Sequence, residues 1–324
     1  MGVWHLSGVG VSPGAITVPL THIYLLLKSA NKGEKNAIKF FETSGESTQE
    51  KKGAPEALII FTSKEVIEGK GPAKSRTIKD QWFQLQPTEN VIQMISKYLG
   101  KLLKSLKEKD FSEFYQGDWI RYFHIIEVDF QDFNDCFPKI YATMNALKEK
   151  EIWINMVGGS NPINAALIMS AGFIEATAKT YYIFEPDISL LHPNIPRPNF
   201  SLPNANISLS KINILPFFSL DIGKLIRQIN ELFIGRGNKV NVKEIEYILN
   251  SLYLSTQYLK KLVSGGWISI QGKLAEPGEM LNRWNRMLGK AEEYPDNYPT
   301  WIKWAAKKGI IWELKNKELG KIMS

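Results

Sequence analysis

The sequence predicts a doubly wound α/β domain followed by a winged helix-turn-helix module. Three observations carry this expectation. Short apolar, strand-like runs alternate with amphipathic helical stretches through residues 1–186, the order that builds a mostly parallel sheet with helices on both faces. The run Ala57–Phe61 is apolar throughout, as strands buried on both faces are. From about residue 219, three helical stretches precede a hairpin pattern around Gly272, the helix, helix, helix, wing order of a winged helix.

The first strand is Val3–Leu6, which runs into the loop Gly8-Val9-Gly10-Val11-Ser12-Pro13-Gly14. Ile16, Leu20, Ile23 and Leu27 recur at helical spacing and predict a helix over Ala15–Ser29. Ile38–Phe41 reads as a second strand, and Ser44–Gly53 as a polar surface loop. Ala57–Phe61 is the next strand, ending at Thr62-Ser63, and the basic stretch Lys64–Lys79 reads as a loop. Ile92, Ile95, Leu99, Leu102, Leu103 and Leu106 define an amphipathic helix. Arg121–Phe130 is then a strand. Asn134 or Asp135 caps the following helix, with Pro138 in its first turn. Ile152–Val157 is a strand entering Gly158-Gly159-Ser160-Asn161-Pro162. Ile163–Glu175 is a helix, apolar nearly all round and therefore expected to be deeply buried, and Thr180–Phe184 closes the sheet. Residues 187–218 read as a linker, marked by Pro193, Pro196, Pro198 and Pro203 just after Pro186.

The second module spans 219–280. Ile222, Leu225, Ile226, Ile229, Leu232 and Phe233 form its first helical stripe. Val242–Asn250 and Leu254–Val263 are its second and third helices, and Trp267–Ile270 with Gln271-Gly272 makes a two-strand wing. Residues 281–324 form a tail holding Trp284, Trp301, Trp304 and Trp312, four of the nine tryptophans. Such a tail is expected to dock on the rest of the chain or on a second copy.

Bulk composition narrows the function classes. The chain has 324 residues, 44% hydrophobic and 23% charged, which is an ordinary globular balance. Its 40 basic and 33 acidic residues give +7, which suits a phosphate-bearing partner. Cys136 is the only cysteine, so no intrachain disulfide or cysteine-based zinc site can form. No apolar run reaches the roughly 18–20 residues that span a bilayer. No basic segment precedes an apolar stretch at the N-terminus, and Leu6 sits where a myristoylation signal needs Ser or Thr. A cytoplasmic protein without membrane contact is expected.

Two loops could hold phosphate. Gly8–Gly14 and Gly158–Pro162 both leave a strand end and enter a helix. Glycines let the backbone approach an anion, the helix N-terminus offers free N–H groups, and Ser12, Ser160 or Asn161 adds side-chain hydrogen bonds. Either loop alone is equally a plain tight turn; two at equivalent strand ends are stronger. The first does not fit G-x-G-x-x-G, and no G-x-x-x-x-G-K-[ST] occurs. His5, His22, His124 and His192 are scattered without metal spacing. No metal and no cofactor is expected. Asp129 and Asp132 lie near a strand end, where capping the next helix is an equal role. Lys70, Lys74 and Arg76 could reach a polyanion or form a solvated loop. Lys260, Lys261 and Lys273 are few charges for a DNA reader.

These residues resemble a known family. The Gly8–Gly14 loop, the strand ending Ile60-Phe61-Thr62-Ser63, and the strand ending Val157-Gly158-Gly159-Ser160-Asn161-Pro162 are similar to the CARF domain of CRISPR-associated proteins. The linker and winged helix extend the resemblance to about residue 280, toward the ring nucleases that join these two parts. The resemblance implies a Rossmann-like CARF fold and a homodimer. It places cyclic tetra-adenylate between the two copies, touched by Gly8, Val9, Gly10, Val11, Ser12, Pro13 and Gly14, by Thr62, Ser63 and Asp129, and by Gly158, Gly159, Ser160, Asn161 and Asn164. It also implies metal-independent cleavage, in which a ribose 2′-hydroxyl attacks its neighbouring phosphate in line and leaves 2′,3′-cyclic phosphate ends. Ser12 matches the family's serine, whereas Asn161 stands where the family has lysine and supplies no positive charge. Cleavage then rests on Ser12 and backbone amides, or on another cation such as Lys64 or Arg76, or the domain only binds.

Three functions follow as hypotheses: an enzyme that linearises cyclic tetra-adenylate and switches off a CRISPR antiviral signal, a ligand-controlled transcription regulator that binds duplex DNA, and a metabolic enzyme. No Arg-x-x-x-x-His motif follows residue 219, where histidine is absent, and no cofactor motif occurs. The first is favoured over the other two.

Overall fold

The computed structural model describes residues 3–41, 55–69, 91–106, 120, 122–174, 177–183, 206–215, 222–308 and 311–313. The first half runs β1 (Val3–Gly8), α1 (Gly14–Asn31), α2 (Lys35–Phe41), β2 (Pro55–Thr62), α3 (Lys64–Ile67), α4 (Val91–Leu106), β3 (Tyr122–Glu127) and α5 (Phe133–Ala146). It continues through β4 (Ile152–Asn155), α6 (Asn161–Phe173), β5 (Thr177–Ile183), α7 (Asn206–Lys211) and β6 (Ile212–Leu215). The second half holds α8 (Ile222–Gly235), β7 (Val240–Asn241), α9 (Val242–Ser251), α10 (Gln257–Ser264), β8 (Ile268–Gln271) and β9 (Leu274–Pro277). It ends with α11 (Glu279–Glu292), α12 (Tyr298–Lys307) and β10 (Ile311–Glu313).

Among the described residues one seven-stranded sheet has the order β10-β3-β2-β1-β4-β5-β6. The five inner strands are parallel; β10 and β6 close the two edges antiparallel. The chain builds outward from β1 through β2 to β3, then crosses back to β4 on β1's other side. The strand order therefore reverses between β1 and β4, and the crevice at such a reversal is where open α/β sheets bind ligands. This is a Rossmann-like arrangement.

Alternation along β1 explains the two layers of helices. Val3 joins Leu58, Ile60, Phe123 and Ile125 on one face, under α1 and α4. Trp4 and Leu6 join Ile59, Phe61, Ile152 and Ile154 on the other, under α5 and α6. Helix α1 is buried on almost every side, because α2, α4 and α7 pack around it.

Several sequence expectations change. Ile38–Phe41 is not a strand: it lies in α2, where Ala37, Phe40 and Phe41 are buried at helical spacing and both phenylalanines pack on Trp153. Three apolar residues around Lys39 do not reveal a period. The third strand ends at Glu127 rather than Phe130, and β4 ends at Asn155. Helix α5 is capped by Asp132, whose carboxylate accepts the Asn134 N–H at 2.8 Å, not by Asn134 or Asp135, so Pro138 falls in the second turn. Helix α6 is not buried all round, since Ile168 is 42% exposed. The strand at 180–184 does not close the sheet, because β6 pairs with it from the outside. Residues 206–215, inside the expected linker, thus form α7 and an edge strand; the rest of that linker, 187–205 and 216–218, lies outside the described residues.

In the second half, α8, α9 and α10 precede the β8–β9 hairpin, and β7 pairs with β9 to complete a three-stranded antiparallel sheet. Its interior is continuous with the first half. Leu225, Ile229, Leu249, Leu262 and Ile268 belong to the same apolar cluster as Phe137, Ile140 and Leu167. The tail enters that cluster too, through Trp284 and Trp301, 2% and 1% exposed. Tyr298 packs edge-on against Trp4 at 4.5 Å and hydrogen-bonds His124, so the tail covers the β1–β3 region of the sheet. Trp312 lies in β10, paired with β3. No helix among the described residues is long and apolar enough to cross a membrane.

Candidate functional site

The C-terminal ends of β1 and β4 deliver the two glycine loops side by side. From there α1 leaves over one face of the sheet and α6 over the other. The loops interlock at three glycines. A Cβ on Gly8 would lie 2.7 Å from Gly159 Cα and 2.8 Å from Ile163 Cγ2. One on Gly158 would lie 2.4 Å from Ala15 Cβ and 2.8 Å from the Gly8 carbonyl oxygen. Gly159 has φ of +90°, a left-handed conformation that side chains disfavour. Gly158→Ala is therefore expected to destabilise the fold by about 2–3 kcal/mol, since both opposing atoms are fixed by backbone. Urea denaturation measures this, and an unchanged midpoint would mean the loops are not locked together.

A buried amide ties the loops to the sheet. Asn155, 4% exposed at the end of β4, donates through Nδ2 to Ser7 Oγ at 3.1 Å and to the Ala15 carbonyl at 2.9 Å. Its Oδ1 accepts the Val157 N–H at 3.0 Å. One side chain thus fixes β1, the first turn of α1 and the start of the second loop. Sequence reasoning passed over it; the signal was a lone amide closing the apolar run of β4.

Neither helix has a side-chain cap, although in α1 the Ala15 and Ile16 N–H groups already donate to the Ser12 and Pro13 carbonyls at 3.3 and 3.0 Å. Neither Pro13 before α1 nor Ser160 before α6 makes a side-chain capping hydrogen bond, and neither first turn contains an acid. Ser160 Oγ donates instead to the Phe130 carbonyl at 2.7 Å, joining the loop after β3 to the second glycine loop. Uncapped helix N-termini carry free N–H groups and a partial positive charge, which favours an anion.

The expected site residues divide into groups. Gly10, Val11 and Ser12 are exposed on the first loop, and Asn161 is exposed at the start of α6. Val9, Pro13 and Gly14 are buried beneath them. Thr62 is fully buried, its hydroxyl donating to the Val9 carbonyl at 2.8 Å, so it supports the first loop from below. Ser63, 8% exposed, precedes α3. Asp129 is exposed, and its carboxylate accepts the Gln131 N–H at 3.0 Å, which shapes a turn. Asn164 is half-buried, with its Oδ1 buried and without a hydrogen-bond partner. Lys64 opens α3 just past the C-terminal end of β2, 62% exposed in a loose 3.7 Å ion pair with Glu68. Lys70, Lys74 and Arg76 lie outside the described residues. Among the described residues, no group of three His, Cys, Asp or Glu side chains could hold a metal ion.

Fold and loops together define a Rossmann-like α/β protein whose two glycine loops meet at the sheet's reversal point. No family model matches the chain. It is 40% identical over 300 residues to an uncharacterized protein of Archaeoglobus fulgidus, covering 88% of this chain and 90% of that one. The chain belongs to that archaeal protein's family. Among solved structures, Enterococcus italicus Csm6 bound to cyclic hexa-2′-fluoro-hexa-dAMP aligns with 82% of the chain at 11% identity and a TM-score of 0.34. The chain spans about half the length of that protein, 52%.

Proposed function

We propose that the protein is a CARF-type sensor that binds cyclic tetra-adenylate as a homodimer and cleaves it. The observation that carries this reading is the pair of interlocked glycine loops ending in two uncapped, acid-free helix N-termini. Together they form a polar rim with Ser12 and Asn161 exposed on it. A cyclic oligonucleotide is a ring of phosphates, and a second copy across a two-fold axis doubles the rim to match it. Val11 and Phe130, 39% and 37% exposed on the loops around this rim, supply apolar surface for that second copy.

The reaction asks little covalent chemistry of the protein. A ribose 2′-oxygen attacks the adjacent phosphorus as its proton leaves, the P–O5′ bond breaks, and the 5′-oxygen takes up a proton. The products are a 2′,3′-cyclic phosphate and a 5′-hydroxyl. What the protein supplies is in-line positioning and hydrogen bonds to the negative oxygens. Ser12 Oγ and the N–H groups opening α6 have that role, and Asn161 contributes a neutral amide donor.

Incubating the protein with labelled cyclic tetra-adenylate in the presence of EDTA tests the proposal. Linear products ending in 2′,3′-cyclic phosphate are expected. Ligand recovered intact after long incubation rejects cleavage. Ser12→Ala is expected to slow the reaction roughly 100-fold, the usual effect of deleting one donor to a developing charge. A strictly monomeric protein in sedimentation would remove the shared crevice on which binding depends.

A second reading rests on the second half of the chain. We read α8–α10 with the β8–β9 hairpin as a winged helix, and Lys260 and Lys261 are exposed on α10, with Lys273 exposed in the hairpin turn. A transcription regulator would bind duplex DNA through this surface with a marked salt dependence. Salt-sensitive duplex binding controlled by cyclic tetra-adenylate, without cleavage, distinguishes it from the enzyme.

A further inference from the structure

The turn between α9 and α10 carries a tyrosine in a conformation that suits glycine. Tyr253 has φ of +57°, in the left-handed region that bulky side chains rarely adopt. The fold gains nothing from the ring in return, since the residue is 98% exposed. Helix α9 leads into this turn with a second ring in solvent, Tyr247, 75% exposed. Tyr247 shares an exposed stripe with Lys243 and Ser251, spaced four apart, and the C-terminal end of that stripe is the turn. A strained, solvent-facing aromatic is better explained by a ligand than by folding.

Charge narrows the class of ligand. Residues 247–275, from the end of α9 through α10 to β9, contain no Asp or Glu. Lys260, Lys261 and Lys273 are all exposed there. On α10, Gln257, Lys260, Lys261 and Ser264 recur at i, i+3, i+4 and i+7, which makes one outward face directly after the turn. Lys261 Nζ lies 4.7 Å from the centroid of the Tyr258 ring. The acids that bound this run are Glu246 and Glu276, and Glu276 is paired with Lys239 at 2.9 Å. The surface is thus positive, with flat rings beside amines. Duplex DNA offers phosphates but keeps its base faces stacked inside, out of reach of a ring, and three amines are few for it. An unpaired strand offers phosphates to the amines and open π-faces to the rings.

We infer that the α9–α10 turn and the outward face of α10 bind single-stranded nucleic acid, with bases stacked on Tyr253 and Tyr247 and the backbone on Lys260 and Lys261. Stacking and phosphate contact are blind to the sugar, so RNA and DNA strands both qualify.

The test is fluorescence anisotropy of the full chain with a labelled pyrimidine-rich strand of about 12 nucleotides, within the usual site size. The strand is used as RNA, as DNA and annealed to its complement. Saturable binding of both single strands is expected, with the duplex at least about tenfold weaker. Tyr253→Ala is expected to weaken single-strand binding at least about fivefold, the loss of one stack. Its urea midpoint is expected not to fall, because the ring is exposed. For three lysine contacts, the logarithm of the binding constant is expected to fall against that of salt with a slope of about −2. Lys260→Gln/Lys261→Gln is expected to flatten the slope to about −1. Ser12→Ala is expected to leave this binding unchanged, which separates it from the glycine loops. Duplex bound as tightly as the single strand, or an unchanged affinity in Tyr253→Ala, overturns the inference. No saturation up to about 1 mM protein, weaker than ordinary non-specific binding, does so as well.

Discussion

Stability is expected to fall by about 3 kcal/mol as the pH is lowered from about 6.5 to about 5, through two histidines held neutral inside the fold. His5 is 1% exposed in the middle of β1, with Nδ1 against the Tyr181 hydroxyl at 3.1 Å and Nε2 without a partner. Burial, reinforced by the Lys179 ammonium nearby, lowers its pKa from 6.5 to about 3. His124, fully buried in β3, bonds the Tyr298 hydroxyl through Nε2 and leaves Nδ1 without a partner; burial lowers its pKa to about 4. A proton on either ring would put a charge and an unanswered N–H into apolar surroundings. The unfolded chain takes up these protons below about pH 6.5, whereas the folded chain refuses them until about pH 4 and pH 3. Stability is therefore complete above 6.5 and lost as the pH falls through that window, at about 1.4 kcal/mol per pH unit for each histidine. Urea denaturation across the range measures the slope, and His124→Asn is expected to remove about half of it. A profile flat down to pH 5 would show that the two rings do not stay neutral.

Trp284→Ala is expected to lower stability by about 3–5 kcal/mol, the range for deleting a fully buried large aromatic side chain. The indole touches Phe137 of α5, Phe173 at the end of α6 and Trp267 before β8, so it joins both halves of the chain from α11. Nothing nearby is free to collapse into the space, because the three rings belong to three separate elements. Calorimetry is expected to record a drop in Tm of roughly 10 °C. A loss below about 1 kcal/mol would mean that the two halves are held together elsewhere.

The inner sheet was legible in the sequence because its strands are covered on both faces, and such strands appear as short apolar runs bounded by glycine and polar turns. Its edges were not. Ile212–Leu215 follows a proline-rich stretch, and Ile311–Glu313 is three residues long, so neither carries a pattern; pairing with β5 and β3 is what makes them strands. Residues Ile38–Phe41 depart from the strand expectation for a related reason: three apolar residues around Lys39 suit either period, and packing on Trp153 decides for the helix. The glycine loops were visible as composition, whereas their interlocking at Gly8, Gly158 and Gly159 joins positions about 150 residues apart and exists only in three dimensions. Asn155 was invisible for the same reason, since its partners Ser7 and Ala15 lie in another strand and helix.

The pairing of β10 with β3 sets an order on biogenesis. Residues 124–126 of the third strand emerge early from the ribosome, but their outer backbone groups find their neighbours only when residues 311–313 arrive. During synthesis of the intervening chain that border stays open, a ready template for misassociation with another nascent copy. Completion of the sheet is thus a late event, and a truncation ahead of residue 311 leaves a seam along which molecules would stick.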